Sequence, residues 1–162
     1  MPRIELTTVL PVPADRVFRA CADPHLHPLT MRRHRERVVH TSARGLLAQG
    51  DTVTFQARHF GMPWRLSACI TRMDAPHSFV DEQVRGPFAR LRHEHVFHRL
   101  EDRSCLMTDQ VDFRSPLGPL GRLADALVLE EYMRLLIAER NANLLRLLER
   151  GDGAGGPPTG PG

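Results

Sequence analysis

Residues 64–114 read WRLSACITRMDAPHSFVDEQVRGPFARLRHEHVFHRLEDRSCLMTDQVDFR, and the spacing of turn signals in this stretch decides the fold. Trp64 to Met73, Ser78 to Arg85, Phe88 to Leu100 and Ser104 to Arg114 follow a period-2 pattern, that of strands with one buried face. Their separators are short: Ala75-Pro76, Gly86-Pro87 and Glu101-Asp102-Arg103. Parallel neighbours need crossovers of a dozen or more residues, so these strands form an antiparallel meander. Working back toward the N-terminus, Gly61-Met62-Pro63 is a turn that follows Thr52 to Phe60, where Val53, Phe55 and Ala57 share a face. Gly45 and Gly50-Asp51 are turns, and Arg37 to His40 is a further strand. Ile4 to Val9 opens the chain as a strand. Pro11-Val12-Pro13-Ala14-Asp15 stops it and starts a short helix with Val17, Phe18 and Cys21 on one side. Asp23-Pro24 and Pro28 set off a second short helical piece.

Beyond the meander the period changes from 2 to 3.6. One long helix is expected from Leu120 to about Arg150, opened after Pro116-Leu117-Gly118-Pro119 and closed by Gly151. Leu129, Met133, Leu136, Ile137, Arg140, Leu144 and Leu147 share one face of it, and only the sheet can receive that face. With no internal repeat and no linker, residues 1–150 read as one α+β domain. The Gly/Pro-rich tail 151–162 has no large apolar residue to offset its ordering entropy and is expected to be disordered.

A chain of 162 residues with 41% hydrophobic and 25% charged residues has the composition of an ordinary globular protein long enough to bury one core. No apolar run approaches the roughly 20 residues of a membrane span, and Met1-Pro2-Arg3-Ile4-Glu5 lacks a signal-peptide core, so the cytoplasm is the expected compartment. Cys21, Cys69 and Cys105 are odd in number and widely spaced, which gives neither a disulfide framework nor a zinc ribbon. All 22 basic residues are arginine, yet the net charge is only +3, too little to argue for nucleic acid. The one basic cluster, Arg32-Arg33-His34-Arg35-Glu36-Arg37, reads as a solvated connecting segment, with a lid or mouth that attracts anionic ligands and a nucleic-acid or membrane surface as the alternatives. No Gly-rich phosphate loop and no Gly-x-Ser-x-Gly elbow is present, so nucleotide-dependent chemistry and serine-type acyl transfer lack support.

The order of elements, together with Pro11-Val12-Pro13-Ala14-Asp15-Arg16-Val17-Phe18, resembles the START-like (SRPBCC) superfamily. The stretches Ser78 to Phe88, His93-Glu94-His95-Val96-Phe97 and Thr108 to Gly121 are similar to its bacterial polyketide cyclase/dehydrase-like branch. The resemblance covers about residues 3–149. It implies a helix-grip fold: a curved seven-stranded antiparallel sheet wrapped around a long C-terminal helix, with two short helices after the first strand. It also implies a small hydrophobic or amphipathic ligand, lipid-, polyketide- or quinone-like, and no cofactor. Its members include binders and enzymes, so the fold carries a cavity rather than a reaction.

A strongly curved sheet and one helix cannot meet along their whole length, which leaves a space lined by the inward member of each strand. Those positions are Phe55, Ala57, His59, Trp64, Leu66, Ala68, Ile70, Leu91, His93, His95, Phe97, Met107, Asp109 and Val111, with Met133, Leu136, Ile137 and Arg140 from the helix. The same residues could instead fill a closed core. His93 and His95 lie two apart on one strand and point to the same apolar side, where each imidazole needs a partner. Asp109 on the next strand or Asp81 on the preceding one can supply it, depending on register.

Three readings stay open for this group: hydrogen-bonded structural histidines, a general acid/base set of His93, His95 and Asp109, or a metal site. For the last, His-x-His spacing could put two ligands on one metal with His59 or Asp109 as a third, but the sequence shows no convergence and no metal is assigned. Arg140 must pair with Asp109, meet a ligand carboxylate or snorkel to water. Trp64 is either core or a platform for the ligand, and Tyr132 is a polar handle if the helix turns it to the cavity wall. The expected activity is therefore ligand binding by a monomer or homodimer. A cyclase/dehydrase-type enzyme and a noncatalytic partner module are the alternatives.

Overall fold

In a computed structural model that describes residues 3–101, 103–115 and 128–153, the opening strand β1 (Arg3–Leu10) ends where Pro11 and Pro13 remove backbone donors. Helix α1 (Ala14–Cys21) begins directly after Pro13 and buries Val17, Phe18, Ala20 and Cys21. A four-residue helix, α2 (His27–Thr30), carries Pro28 in its first turn, and the basic cluster continues as a 3-10 turn at Arg32–His34. The remaining strands are β2 (Arg37–Thr41), β3 (Thr52–His59), β4 (Met62–Asp74), β5 (Ser78–Arg85), β6 (Arg90–Arg99) and β7 (Cys105–Arg114). They form one antiparallel seven-stranded sheet in the order β1-β7-β6-β5-β4-β3-β2. Chain neighbours pair throughout, and β1 closes the far edge on β7. The C-terminal helix α3 (Glu130–Gly153) packs against β1 and α2. This is the expected helix-grip fold.

Several boundaries differ from expectation. Strand β6 begins at Arg90 rather than Phe88, because the backbone of Phe88 is tied to the Gln83 side chain in the connection from β5. Met62 and Pro63 belong to β4 rather than to a turn, because the hairpin is closed by Phe60 and Gly61 alone, at φ 52° and 74°. Those positive angles are those of a tight primed turn, which matches the twist of the flanking strands. Pro63 is tolerated because β5 pairs with β4 only from Ser67 onward, so its missing donor faces an open edge. Helix α3 runs through Gly151 to Gly153, two residues past the expected stop, and its buried face ends on Leu148 rather than Leu147. The expected helix start at Leu120 and the tail beyond Gly153 lie outside the described residues.

Register shifts between Ser67 and Ala68 and between Ile70 and Arg72 place bulges in the long strand β4. Bulges bend a strand and increase its twist, and here they help curl the sheet. The buried apolar residues accordingly fall into two clusters. One gathers Val17, Phe18 and Cys21 of α1 with Phe79, Phe97, Met107 and Leu144; the other gathers Ile4, Leu91, Val111, Phe113 and Ile137. On the concave face, Asp109 lies between Met107 and Val111, and His93 and His95 lie between Leu91 and Phe97. The polar residues thus occupy the gap between two apolar cores.

Candidate functional site

Between the concave face and α3 lies a cavity of about 540 Å³. Phe55, Ala57, His59, Trp64, Leu66, Ala68, Ile70, Leu91, His93, His95, Val111, Met133, Leu136, Ile137 and Arg140 line it, as the strand alternation implies. Three expected wall residues do not. Phe97 is stacked with Phe79 and edge-on to Phe18, and Met107 is fully buried with its Sδ 3.9 Å from Cys21 Sγ, because α1 fills that end of the sheet. Asp109 lies behind the wall, fully buried beneath the side chains that bind it.

Asp109 is the centre of the polar group. Its Oδ1 accepts from His93 Nε2 and Arg140 Nη1, each at 2.9 Å, and its Oδ2 accepts from Asn141 Nδ2 at 2.7 Å. His95 Nδ1 also lies 2.9 Å from Oδ1, although off the hydrogen-bonding line. His95 Nε2 reaches Asp81 Oδ2 at 3.3 Å. The register explains this convergence. His95 sits opposite Asp109 on β7 and Phe79 on β5, while His93 sits opposite Asp81 and Val111, so each histidine bonds one carboxylate diagonally. Arg140 does not snorkel; it is 5% exposed and completes the pair with Asp109.

The two imidazoles are driven apart electrostatically. Burial, and then the neighbouring His95, push His93 down to about 4, against the pull of Asp109. His95 moves up: burial lowers its pKa, but its close contacts with the Asp109 and Asp81 carboxylates outweigh it. Burial raises the Asp109 pKa, yet Arg140 and the bonds from both histidines hold it well below the usual carboxylate range. The ring centroids of His93 and His95 are 3.8 Å apart.

A second polar cluster sits where the β3–β4 hairpin meets α3. His59 Nδ1 and Tyr132 Oη are 2.7 Å apart, His59 stacks on His34 at 5.0 Å between centroids, and His34 Nε2 is 3.4 Å from Glu139. Phe60, 65% exposed, packs on Tyr132. Trp64 Nε1 donates to the His59 carbonyl at 3.0 Å, so Trp64 serves both packing and wall. Burial, then the neighbouring His34, lower the His59 pKa below the ordinary histidine value while Glu36 opposes them. Since the folded value lies below the unfolded one, the contribution of neutral His59 is complete above the ordinary value and fades as the pH falls below it. In an NMR pH titration, His59 is expected to protonate below the ordinary histidine value; a midpoint at or above that value would contradict the packing.

Cys21 also lines the cavity, with Arg140 Nη2 3.5 Å from its sulfur. Burial drives its thiol pKa to about 12 against the lowering effect of Arg140, so it is no nucleophile at neutral pH. Burial likewise raises Cys105 to about 11. Iodoacetamide should therefore label partly exposed Cys69 in the native protein and reach Cys21 and Cys105 only after unfolding. Mass mapping of the alkylated protein checks this, and rapid native labelling of Cys21 would refute it.

Sequence reasoning left Asp81 as one of two optional partners and left the orientation of Tyr132 open; it passed over Asn141, His34 and the wall residues Phe79 and Phe88. Asn141 had a legible signal, a polar residue four after Ile137 and three before Leu144 on the buried helix face. His34 had none, because its contact with His59 depends on how the 3-10 turn lies over β3.

Residues 1–149 match the family described as Polyketide cyclase / dehydrase and lipid transport. The chain belongs to that family. The resemblance of the sequence to a polyketide cyclase/dehydrase-like branch is thus borne out over residues 1–149. This polyketide cyclase/dehydrase family member matches no curated protein sequence at a significant level. Its fold is similar to that of protein Ms6760 from Mycobacterium smegmatis, with 18% identity, a TM-score of 0.70 and coverage of 92% of each chain. It is also similar to major latex-like protein 151 from Panax ginseng, with 12% identity, a TM-score of 0.64 and coverage of 90% of this chain and 95% of that one. The di-domain ARO/CYC BexL from the BE-7585A biosynthetic pathway shares 17% identity and a TM-score of 0.68; 89% of this chain covers 46% of BexL. Likeness at this identity establishes the helix-grip fold and leaves activity to the residues of the cavity. Among the described residues, no helix of this family member is long and apolar enough to cross a membrane.

Proposed function

We propose that this chain binds a small hydrophobic or amphipathic molecule, lipid-, polyketide- or quinone-like, between the sheet and α3. The observation that carries the reading is the cavity itself. At about 540 Å³ it falls within the roughly 300–1,000 Å³ of small-molecule pockets, and its walls are mainly apolar with one buried polar group at the inner face. The walls contribute affinity through buried area, at about 25 cal/mol per Å², while His95, Asp81 and His93 orient an oxygen of the ligand. Native mass spectrometry of the freshly purified protein, followed by denaturing extraction, tests this. One apolar species at defined stoichiometry is expected, or uptake of one when fatty acids, polycyclic phenols and quinones are offered to an empty protein. A folded protein that carries none and takes up none overturns the reading.

A specific observation favours a second reading, a cyclase/dehydrase-type enzyme. His93, kept neutral, is a base in contact with His95, which is held as an acid between Asp81 and Asp109. Neighbouring groups with pKa values driven apart divide acid and base roles. In such an enzyme His93 removes a proton next to a substrate carbonyl, and His95 donates one to the oxygen that leaves or becomes hydroxyl. Asp109 holds both rings in place. Turnover that survives undiminished in His93→Ala, His95→Ala and Asp109→Ala ends this reading and leaves the binding one untouched.

A further inference from the structure

Asp81, His93 and His95 each bring one ligating atom to a common point, all within 4.8 Å of one another. Asp81 Oδ2 and His95 Nε2 are 3.3 Å apart. That is long for a charged hydrogen bond, but close to the edge between two donors of a tetrahedral metal with bonds of about 2.1 Å, roughly 3.4 Å. The sequence pattern offered His59 or Asp109 as a third donor, but His59 is engaged by Tyr132 and Asp109 lies behind the rings; the third donor is instead Asp81 from the preceding strand.

Asp109 supplies what a metal-binding imidazole requires on its other nitrogen. It lies 2.9 Å from His93 Nε2 and 2.9 Å from His95 Nδ1, so His93 Nδ1 and His95 Nε2 are the nitrogens left to bind. A carboxylate hydrogen-bonded behind a ligating histidine fixes its tautomer and raises its basicity; Asp109 does this for His93, and for His95 it stands at the right distance but off line. Arg140 and Asn141 hold that carboxylate in turn. His95 Nδ1 is buried without an aligned partner, which leaves the ring room to settle on a new ligand. All three donors line the cavity, so a fourth coordination position opens toward it.

We infer that Asp81, His93 and His95 form a site for one divalent transition-metal ion, open on the side of the cavity. Two imidazoles and one carboxylate suit Zn²⁺, Co²⁺ or Fe²⁺ and disfavour Ca²⁺ and Mg²⁺, which prefer all-oxygen shells.

The test uses the full chain without an affinity tag, freed of metal by chelation, with Zn²⁺ or Co²⁺ added alone. Isothermal titration is expected to show one equivalent bound, and Co²⁺ to give the intense visible absorption of a low-coordinate nitrogen and oxygen site. Asp81→Asn should weaken binding at least tenfold, and His95→Gln should abolish the Co²⁺ spectrum. His77→Ala, on an exposed turn residue away from the cavity, should leave both unchanged. Circular dichroism of each variant separates lost metal from lost fold, and Asp81→Asn, on a residue partly exposed to the cavity, serves if His95→Gln does not fold. No uptake by the parent chain, or uptake equally strong in folded Asp81→Asn, overturns the inference. Because no organic ligand is present, either failure leaves the binding reading standing.

Discussion

Arg140→Ala is expected to lower the unfolding free energy by about 3–5 kcal/mol, the cost of leaving one member of a buried ion pair without its partner. Asp109 is fully buried and has no solvent to turn to. With Arg140 gone, its charge is faced only by Asn141 and two imidazoles, one of them pushed toward neutrality. Urea unfolding monitored at the single tryptophan, Trp64, measures the loss as a shift in midpoint at constant slope. The double variant Arg140→Met with Asp109→Asn should recover at least half of it, because no net charge then stays buried. A loss below about 1 kcal/mol for Arg140→Ala, the range of a surface pair, would refute the role assigned to this contact.

The second large effect is on binding. Ala68→Trp is expected to reduce affinity for an apolar probe on the order of 100-fold, about 2.7 kcal/mol, while the protein stays folded. Ala68 is buried on the concave face, where β3 places Val53 opposite and β5 places Gln83, and it forms part of the cavity wall. A tryptophan there has only the cavity to enter. It takes the space the ligand needs and buries its own apolar area, which offsets part of the overpacking cost of about 1–3 kcal/mol. Displacement of 1-anilinonaphthalene-8-sulfonate measures the change. Unaltered affinity in a folded Ala68→Trp would show that the probe binds elsewhere and that this cavity is not the site.

The fold was legible because each decisive signal was local. The alternation from Thr52 to Arg114 and the turn residues between strands depend on side-chain direction and on the φ preferences of glycine and proline. The misplaced turn at Met62-Pro63 is instructive. Proline argues against a strand in general, and only the late start of β5 pairing makes Pro63 acceptable in one. The wall of the cavity was legible for the same reason as the strands, and it failed at Phe97 and Met107, where α1 covers the face. Nothing in the local pattern of β6 or β7 announces that helix.

The site was legible as a set of residue types and not as an arrangement. His93 and His95 had to share a face, since two residues apart on a strand is a local fact. Whether Asp81 or Asp109 met them turned on register, and a slip of one residue would have sent both carboxylates to the outer surface. The sequence by itself determined the antiparallel meander, the long C-terminal helix with its apolar face and the two inward histidines, because these follow from periodicity over a few residues; the helix-grip arrangement was what the family resemblance implied. Only the tertiary structure decided that Asp109 joins Arg140, Asn141 and both histidines, that Asp81 closes the group from β5, and that His34, His59 and Tyr132 meet at the hairpin. Those contacts join residues 14 or more positions apart, and their geometry is set by strand pairing, bulges and helix docking, which no local pattern encodes.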